Sequence, residues 1–203
     1  IDNWNRKQHF EHFKKLRDPY FGLTSNVDVT KAYHWSKENK TSLFIVYLHA
    51  CMKAINSIES LKYRIEGDSV AIYDTIHVSP TILRPDKTFG FSYVSFTDDL
   101  KTFRKNFLLE KERVLSTSDL FPPIYSEACV HCSAIPWVNF TGHKEPSSGI
   151  DNESIPKVAF GKINQEGQRF LMPVAINVNH ALVDGYHLGE FYEEFQSELN
   201  KIN

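Results

Sequence analysis

The stretch RFLMPVAINVNHALVDGYH, residues 169–187, decides the fold of this chain. Apolar and polar residues alternate up to Asn179, which predicts a strand over residues 169–179. His180 follows directly, and Asp184-Gly185 then precede GYHLGEFYEEFQSELNKI, which has the spacing of a helix. A strand-to-helix junction holds a side chain rigidly while leaving it open to a cleft. His180 is therefore a candidate for chemistry, although a lone histidine is more often structural than catalytic.

The elements before this junction mix helices and strands. KVAFGKI, residues 157–163, predicts the first strand of a hairpin that turns at Asn164 to Gly167. SLFIVYLHACMKAINSI, residues 42–58, carries few charges and predicts the best-buried helix. The mixture, with late hairpins, predicts an α/β two-layer sandwich with a largely antiparallel or mixed β-sheet and helices on one side.

The remaining segments are assigned by periodicity and by turn residues. Helices are predicted in NWNRKQHFEHFKKL up to Asp18-Pro19, after a Thr30 cap, and in LKTFRKNFLLEKERVL after a cap at Asp98 or Asp99. Strands are predicted in YFGLTSNVDVT, in LKYRIEGDSVAIYD around Gly67-Asp68, and in IHVSPTIL, TFGFSYVSF and CVHCSAIPWVNF. TGHKEPSSGIDNES, residues 141–154, is loop-like, although it is too close to the final hairpin to be a linker.

Composition bounds the class of protein. With 203 residues and 41% hydrophobic side chains, the chain needs only one core, so we predict one domain over residues 1–203. A net charge of -2 without a basic, aromatic-rich cluster argues against a nucleic-acid partner. No apolar run reaches the ~18 residues of a membrane span, and the start lacks an apolar signal core. A cytoplasmic location is expected.

The three cysteines, Cys51, Cys129 and Cys132, are expected to be free thiols. The C-x-x-C pair lies in a strand-like segment, so its side chains should face opposite sides of a sheet. A zinc site would need a second pair of ligands, which the sequence does not offer. We therefore predict no metal site.

The H-x-x-x-D-G pattern at His180 to Gly185 is short and common by chance. In this context it resembles the signature of the chloramphenicol acetyltransferases, within the CoA-dependent acyltransferase superfamily, which dihydrolipoyl acyltransferases and peptide-synthetase condensation domains share more distantly. The resemblance spans nearly the whole chain, in five ordered blocks: NWNRKQHF, LTSNVDVT, TFGFSYVSFTDDL, SAIPWVNF and QEGQRFLMPVAINVNHALVDGYH.

This resemblance implies an O-acetyltransferase that moves an acetyl group from acetyl-CoA, a cosubstrate, to a hydroxyl of chloramphenicol. It implies a homotrimer whose active sites lie at subunit interfaces, with the histidine from one subunit and much of the pocket from its neighbour. His180 would be the general base, held partly through its own backbone carbonyl, and transfer would need no acyl-enzyme. Ser133, in SAIPW, would stabilise the oxyanion.

The resemblance also assigns supporting roles. Asp184 would pair with Arg6 and act structurally, while Gly185 would permit the turn into the last helix. His187 and Tyr186 would serve packing. Lys162 would lie near the CoA phosphates, Trp137 beside the pantetheine channel, and Phe89 and Ala159 at the acceptor. Four of these residues have ordinary alternatives: Lys162 and Arg6 as solvated surface residues, Ser133 as a strand serine and Phe89 as a core residue.

Three departures from the family pattern leave the acceptor open. Asn179 replaces the first histidine of the usual double-histidine signature. Ala159 stands where the family has a threonine that helps to hold a water near the transition state. The segments 19–22 and 141–154 match poorly. The alternatives within this fold are therefore an enzyme with a different hydroxylated acceptor and a catalytically silent trimer that binds a small molecule. Two other classes are also considered: the acyltransferase core of a dehydrogenase complex, and a hydrolase with a triad of Ser133, His180 and Asp184.

Overall fold

The computed structural model describes residues 4–149 and 152–202. Nine strands are present in this part of the chain: β1 Tyr20–Asp28, β2 Tyr63–Glu66, β3 Ser69–Ile72, β4 His77–Leu83, β5 Phe89–Phe91, β6 Cys129–Ile135, β7 Lys157–Gly161, β8 Asn164–Glu166 and β9 Arg169–Asn179. Five α-helices accompany them: α1 Lys7–Phe13, α2 Thr30–Glu38, α3 Leu43–Ser57, α4 Leu100–Ser116 and α5 Gly185–Lys201, with a short 3-10 helix at Glu59–Lys62.

The main sheet is mixed. Its strands lie in the order β1-β9-β7-β6-β4-β5, and β8 adds to β9. β6 runs parallel to both of its neighbours, β4 and β7, whereas the other pairs are antiparallel. β2 and β3 form a separate two-stranded hairpin. The predicted α/β fold with a mixed sheet is confirmed.

α3 is the central helix of the layer that covers the sheet. Ten of its fifteen residues are buried, as its few charges predicted. It packs against α2, α4 and α5, and α2, α4 and α5 also contact strands of the sheet. Burial of this apolar surface is the main source of stability in such a layer.

The two faces of the sheet differ in chemistry. The helix side is apolar and joins the core cluster through residues such as Cys132, Phe160 and Val178. The opposite side, here called the outer face, carries Ser133 and Ala159, because neighbouring residues of a strand point to opposite sides.

Residues 138–149 and 152–155, here called the covering segment, lie over part of the outer face, where the Glu153 and Ile155 carbonyls accept from Asn179 and Tyr20. Gly161 lies beneath Phe140, where an added Cβ would come within 2.9 Å of the Phe140 ring and 2.5 Å of Pro173. Glycine is therefore required at this position by the close approach of the covering segment.

Several strand boundaries differ from the predictions. β6 ends at Ile135, rather than continuing to residue 140, because Pro136 has no N–H to donate to a ladder. β5 is only three residues long, and the chain after it meets β4 through an isolated bridge between Val78 and Val94. The final hairpin turns at Gly167 and Gln168, since Asn164–Glu166 already pairs with β9.

Two helix termini also differ. α1 ends at Phe13, before the predicted stop at Asp18-Pro19. The Thr30 side chain does not cap α2; its hydroxyl accepts a hydrogen bond from the Phe170 backbone, and Asp28 accepts from the Thr30 N–H. α4 does have a side-chain cap, because Asp99 accepts from the Thr102 N–H at 2.8 Å.

The three cysteines are free and buried. Burial raises the pKa of the Cys129 thiol to about 12, so this thiol is neutral near pH 7. Within the described residues, no helix combines the length and the apolar character needed to cross a membrane.

Candidate active site

The turn between β9 and α5 is fixed by its backbone. The N–H groups of Leu182 and Val183 both donate to the carbonyl of Asn179, at 3.0 and 3.1 Å. The His180 N–H donates to the Pro19 carbonyl at 2.9 Å, next to the start of β1. His180 therefore lies on a short turn that is anchored on both sides.

The His180 ring is held in one tautomer. Its Nδ1 lies 3.1 Å from the Val183 carbonyl oxygen, and since a carbonyl only accepts, Nδ1 carries the proton in this bond. Nε2 then presents a lone pair, and the side chain is 32% exposed. The expected bond to the ring's own carbonyl is not formed: Nδ1 bonds to Val183, and the His180 carbonyl accepts from Arg6 Nη2 at 3.2 Å.

Two aromatic rings enclose this imidazole. Phe13 stacks on it at 4.0 Å between ring centroids with a 15° interplanar angle, and Phe21 lies at 4.3 Å. Neither ring was predicted to belong to the site, because the spacing of Phe13 in an amphipathic helix and of Phe21 in a strand fits core packing equally well. The contact limits the ring to a narrow range of orientations.

Arg6 and Asp184 form a two-bond ion pair beside the histidine. Arg6 Nη2 donates to Asp184 Oδ1 at 3.1 Å, and Nη1 contacts Oδ2. Arg6 is only 9% exposed, so it is not a solvated surface residue. Burial by itself would raise the pKa of Asp184, but the hydrogen bond and charge of Arg6 outweigh it and the pKa lies below its usual value. Asp184 is therefore a carboxylate near neutral pH.

The first turn of α5 supports the same geometry. His187 Nδ1 accepts from the Asp184 N–H at 2.9 Å, and burial and the nearby Arg6 lower the pKa of His187, so this ring is neutral. Gly185 is not needed for the turn as predicted: its φ is outside the left-handed region and a Cβ would meet open space. Tyr186 is 74% exposed, and its ring packs edge-on against His187 at 5.7 Å between ring centroids, so it is not the core packing residue that was expected.

Ser133 lies in a row of small residues across the outer face. Ser133 pairs with Ala159 on β7, which pairs with Ala175 on β9, which pairs with Thr24 on β1. Residues opposite one another share a face, so Ser133 and Ala159 lie side by side.

Phe89 lies on the same face at the far edge of the sheet, opposite Leu83, with its ring 5.4 Å from Phe91. Ser133, Ala159 and Phe89 thus share one face of the sheet, but Ala159 is fully buried there and is not exposed to an acceptor within one chain.

The His180 region and the Ser133 row are far apart in one chain. His180 is five residues beyond Ala175 along the chain, about 16 Å at ~3.3 Å per residue, and Ser133 is two strands away, about 10 Å. The His180 ring also contacts Phe21, which lies on the helix side. A Ser133, His180 and Asp184 triad within one chain is therefore excluded.

Lys162 and Trp137 lie next to each other at the ends of β7 and β6. The Lys162 N–H donates to the Val138 carbonyl at 2.9 Å, and Trp137 is 66% exposed. An exposed cation and an exposed indole thus lie at neighbouring backbone positions where β6 and β7 end.

Comparison with known proteins agrees with this architecture. The family model described as chloramphenicol acetyltransferase matches residues 1–196. The chain belongs to the chloramphenicol acetyltransferase family. Among curated relatives, chloramphenicol acetyltransferase 3 of Escherichia coli is 28% identical over 98% of this chain and 95% of the relative. Chloramphenicol acetyltransferase of Bacillus pumilus is 31% identical, over 95% of this chain and 88% of its own length. Members with these names are acyltransferases.

Solved structures give the same family and a wider fold. A chloramphenicol acetyltransferase superposes with a TM-score of 0.88 at 27% identity, covering 98% of this chain and 96% of that chain. The dihydrolipoamide acetyltransferase of Azotobacter vinelandii superposes with a TM-score of 0.70 at 14% identity, covering 94% of this chain and 85% of its own. The second likeness extends to the fold alone.

Proposed function

We propose that this chloramphenicol acetyltransferase family member transfers an acetyl group from acetyl-CoA to a hydroxyl of chloramphenicol, at sites formed between the subunits of a homotrimer. One observation carries the proposal. The His180 ring, with a free Nε2, and the Ser133 row lie on opposite faces of one chain, so each lacks what the other supplies. A site that combines them requires a second copy of the chain.

In this mechanism His180 is the general base. An alcohol is a poor nucleophile at neutral pH, so Nε2 takes the proton as the hydroxyl oxygen attacks the thioester carbonyl. The bond to Val183 holds the accepting nitrogen in place, and the Asp184 carboxylate, 3.3 Å from Nδ1, stabilises the charged ring that forms. Because Asp184 is bound by Arg6, it orients and stabilises the ring but takes no proton.

Ser133 of the neighbouring subunit is the proposed donor to the oxyanion. Attack on the thioester places negative charge on the carbonyl oxygen, and a donor already in position lowers the barrier. Ser133 is half-buried, so its hydroxyl can be reached from outside, whereas its neighbour Ala159 is fully buried. Collapse of the intermediate breaks the carbon–sulfur bond, and His180 returns the proton to the departing thiolate. The products are an acetyl ester and CoA.

The residues that follow the ends of β6 and β7 fit the CoA arm in their chemistry. The exposed Lys162 ammonium suits a phosphate, and the exposed Trp137 ring suits the apolar stretch of a pantetheine chain. These roles belong to the proposal, and they require both residues to face the cleft between subunits.

A different hydroxylated acceptor is the second candidate, and Ala159 favours it. Where the family carries a threonine hydroxyl, Ala159 offers only a methyl group beside Ser133 and cannot hold a water. The chemistry at His180 would be unchanged, and only acceptor choice would differ. We also propose a cytoplasmic location, because all three cysteines are free.

The first test is release of CoA thiol from acetyl-CoA with and without chloramphenicol. Release that depends on chloramphenicol supports the proposal, whereas release dependent only on other alcohols supports the second candidate. Release that needs no acceptor would indicate hydrolysis and contradict both.

The second test mixes two inactive variants, His180→Ala and Ser133→Ala, by refolding them together. If the histidine and the serine of a site come from different chains, each mixed trimer has one intact site in three. With equal amounts of the two variants, about a quarter of all sites are then intact, and activity returns to about that fraction. No recovery, with mixed trimers shown by mass spectrometry, would rule out the shared site.

A further inference from the structure

Asn179, the last residue of β9, directly precedes the candidate base, and its side chain makes two hydrogen bonds. Its side chain is buried, with the residue only 2% exposed. Nδ2 donates to the Glu153 carbonyl at 2.8 Å, and Oδ1 accepts from the Ala181 N–H at 2.9 Å. A single amide thus joins the turn that carries His180 to the segment that covers the outer face.

The segment around Glu153 is itself fixed to the sheet. The Glu153 carboxylate accepts from the Ser147 hydroxyl and from the Ser148 N–H, both at 2.8 Å. Its other oxygen lies 2.5 Å from Lys157 Nζ, which also donates to the Pro146 carbonyl. Lys157 belongs to β7 and is 5% exposed. The position of Asn179's partner is therefore determined by a buried ion pair.

Tyr20 also binds the covering segment, from the strand next to Asn179. It is the β1 residue opposite Asn179, and its hydroxyl donates to the Ile155 carbonyl at 2.9 Å. Lys157 Nζ lies 4.6 Å from the centre of its ring. Burial, with the nearby Glu153 charge, raises the pKa of the Tyr20 hydroxyl far above its usual value, so it stays a donor.

We propose that Asn179 is a positioning residue for His180, because it binds the turn that carries the base to the covering segment at Glu153. This inference rests on the proposed function, since it concerns the same base. Two departures from the family pattern meet at this contact: Asn179 replaces a histidine, and the segment it binds matches the family poorly. One hydrogen bond links both departures.

Removing the amide leaves the Ala181 N–H and the Glu153 carbonyl without a partner in a buried place. The turn then relaxes, and the His180 ring shifts relative to a hydroxyl held by the neighbouring subunit. Because a displacement of about 1 Å costs on the order of a hundredfold in rate, kcat is the quantity that should respond.

The test compares Asn179→Ala with Asn177→Ala in the full-length protein. Asn177 is a matched control: it is buried on the same face of β9, but its Nδ2 has no partner in the described part of the chain. We expect kcat to fall by about 10- to 100-fold in Asn179→Ala, with KM for both substrates unchanged. Asn177→Ala should keep the wild-type kcat.

A rescue variant separates positioning from general destabilisation. Asn179→His restores the family residue, whose ring nitrogens provide one donor and one acceptor, and should recover most of the lost kcat. Asn179→Asp keeps the acceptor for the Ala181 N–H but cannot donate to the Glu153 carbonyl, so the kcat of this variant should stay low. Equal losses in Asn177→Ala and Asn179→Ala, or wild-type kcat in folded Asn179→Ala, would overturn the proposal.

A readout independent of turnover completes the test. Nitrogen-15 NMR of the histidine rings reports which nitrogen of His180 is protonated. We expect Nδ1 protonation in the wild type and in Asn177→Ala, and a mixture of tautomers in Asn179→Ala. An unchanged His180 signal in Asn179→Ala would contradict the positioning role of Asn179. This result does not depend on turnover. Failure of the wild type to transfer an acetyl group would contradict the proposed function instead.

Discussion

The turn around His180 and the row around Ser133 are built in opposite ways. At the turn, His180 donates to the Pro19 and Val183 carbonyls and accepts from Arg6, and two aromatic rings enclose the imidazole. Along the row, Ser133 is flanked by Ala159, and its side chain has no hydrogen-bond network among residues 4–149 and 152–202. A base must be held at one angle, whereas an oxyanion donor needs space in front of it. The difference indicates that the turn supplies orientation and the row supplies room.

The largest effect is expected at the turn. His180→Ala removes the base, so kcat should fall by about 10²- to 10⁴-fold while the fold is retained. Thiol release measures the rate, and thermal unfolding checks the fold. His9→Ala, an exposed histidine of α1, is the control and should behave as the wild type. Full activity in His180→Ala would end the mechanism.

The next effect is expected in the row. Ser133→Ala removes the proposed oxyanion donor and should lower kcat by about 10²- to 10³-fold with little change in KM. Ser79→Ala is the matched control, because Ser79 lies on the outer face of the adjacent strand β4. If steady-state kinetics give both variants the same kcat, Ser133 is an ordinary strand serine.

A smaller effect on stability is expected from the ion pair. Asp184→Asn leaves Arg6 partly buried without its charge partner and should cost up to ~3 kcal/mol, the low end for such pairs because Asp184 is 32% exposed. The pKa of Asp184 is lowered in the folded state. The difference in free energy of unfolding between the wild type and Asp184→Asn is therefore largest above the unfolded-state pKa of about 3.9. It should shrink as pH falls through the folded pKa. Denaturant unfolding at several pH values measures it, and a constant difference would contradict the assignment.

The smallest effect is expected beside Ser133. Ala159→Thr restores the family hydroxyl and should raise turnover on chloramphenicol. Ala159 is fully buried, so the added atoms should cost about 1–3 kcal/mol of stability. Steady-state rates and Tm check both parts, with Ala159→Ser as a smaller hydroxyl variant. Unchanged turnover in both would remove the water argument and leave the base mechanism intact.

Local pattern predicted most of the fold because each long element has a clear period. The buried helix α3, the long strand β9 and the Asp99 cap of α4 followed from apolar spacing and from cap chemistry. Strand ends were harder, since β5 stops where tertiary pairing with β4 stops. Such endpoints depend on partners that are distant in sequence.

The site was predicted in part for a similar reason. The motif and its context located His180, Asp184 and Arg6, and the structure brings these three together. Phe13 and Phe21 were missed because an aromatic residue next to a base has the same sequence signal as one in a core. The distance between His180 and Ser133 could not be predicted, because it depends on strand order and register, which periodicity does not give.

Because all three thiols are buried, the folded chain should be unreactive toward thiol-reactive dyes. In a coupled assay, colour therefore arises from released CoA and carries no background from the protein. Denaturation would uncover Cys51, Cys129 and Cys132 together, so the same dye added without substrate would count unfolded chains. One reagent can thus separate a variant that has lost its chemistry from one that has lost its structure.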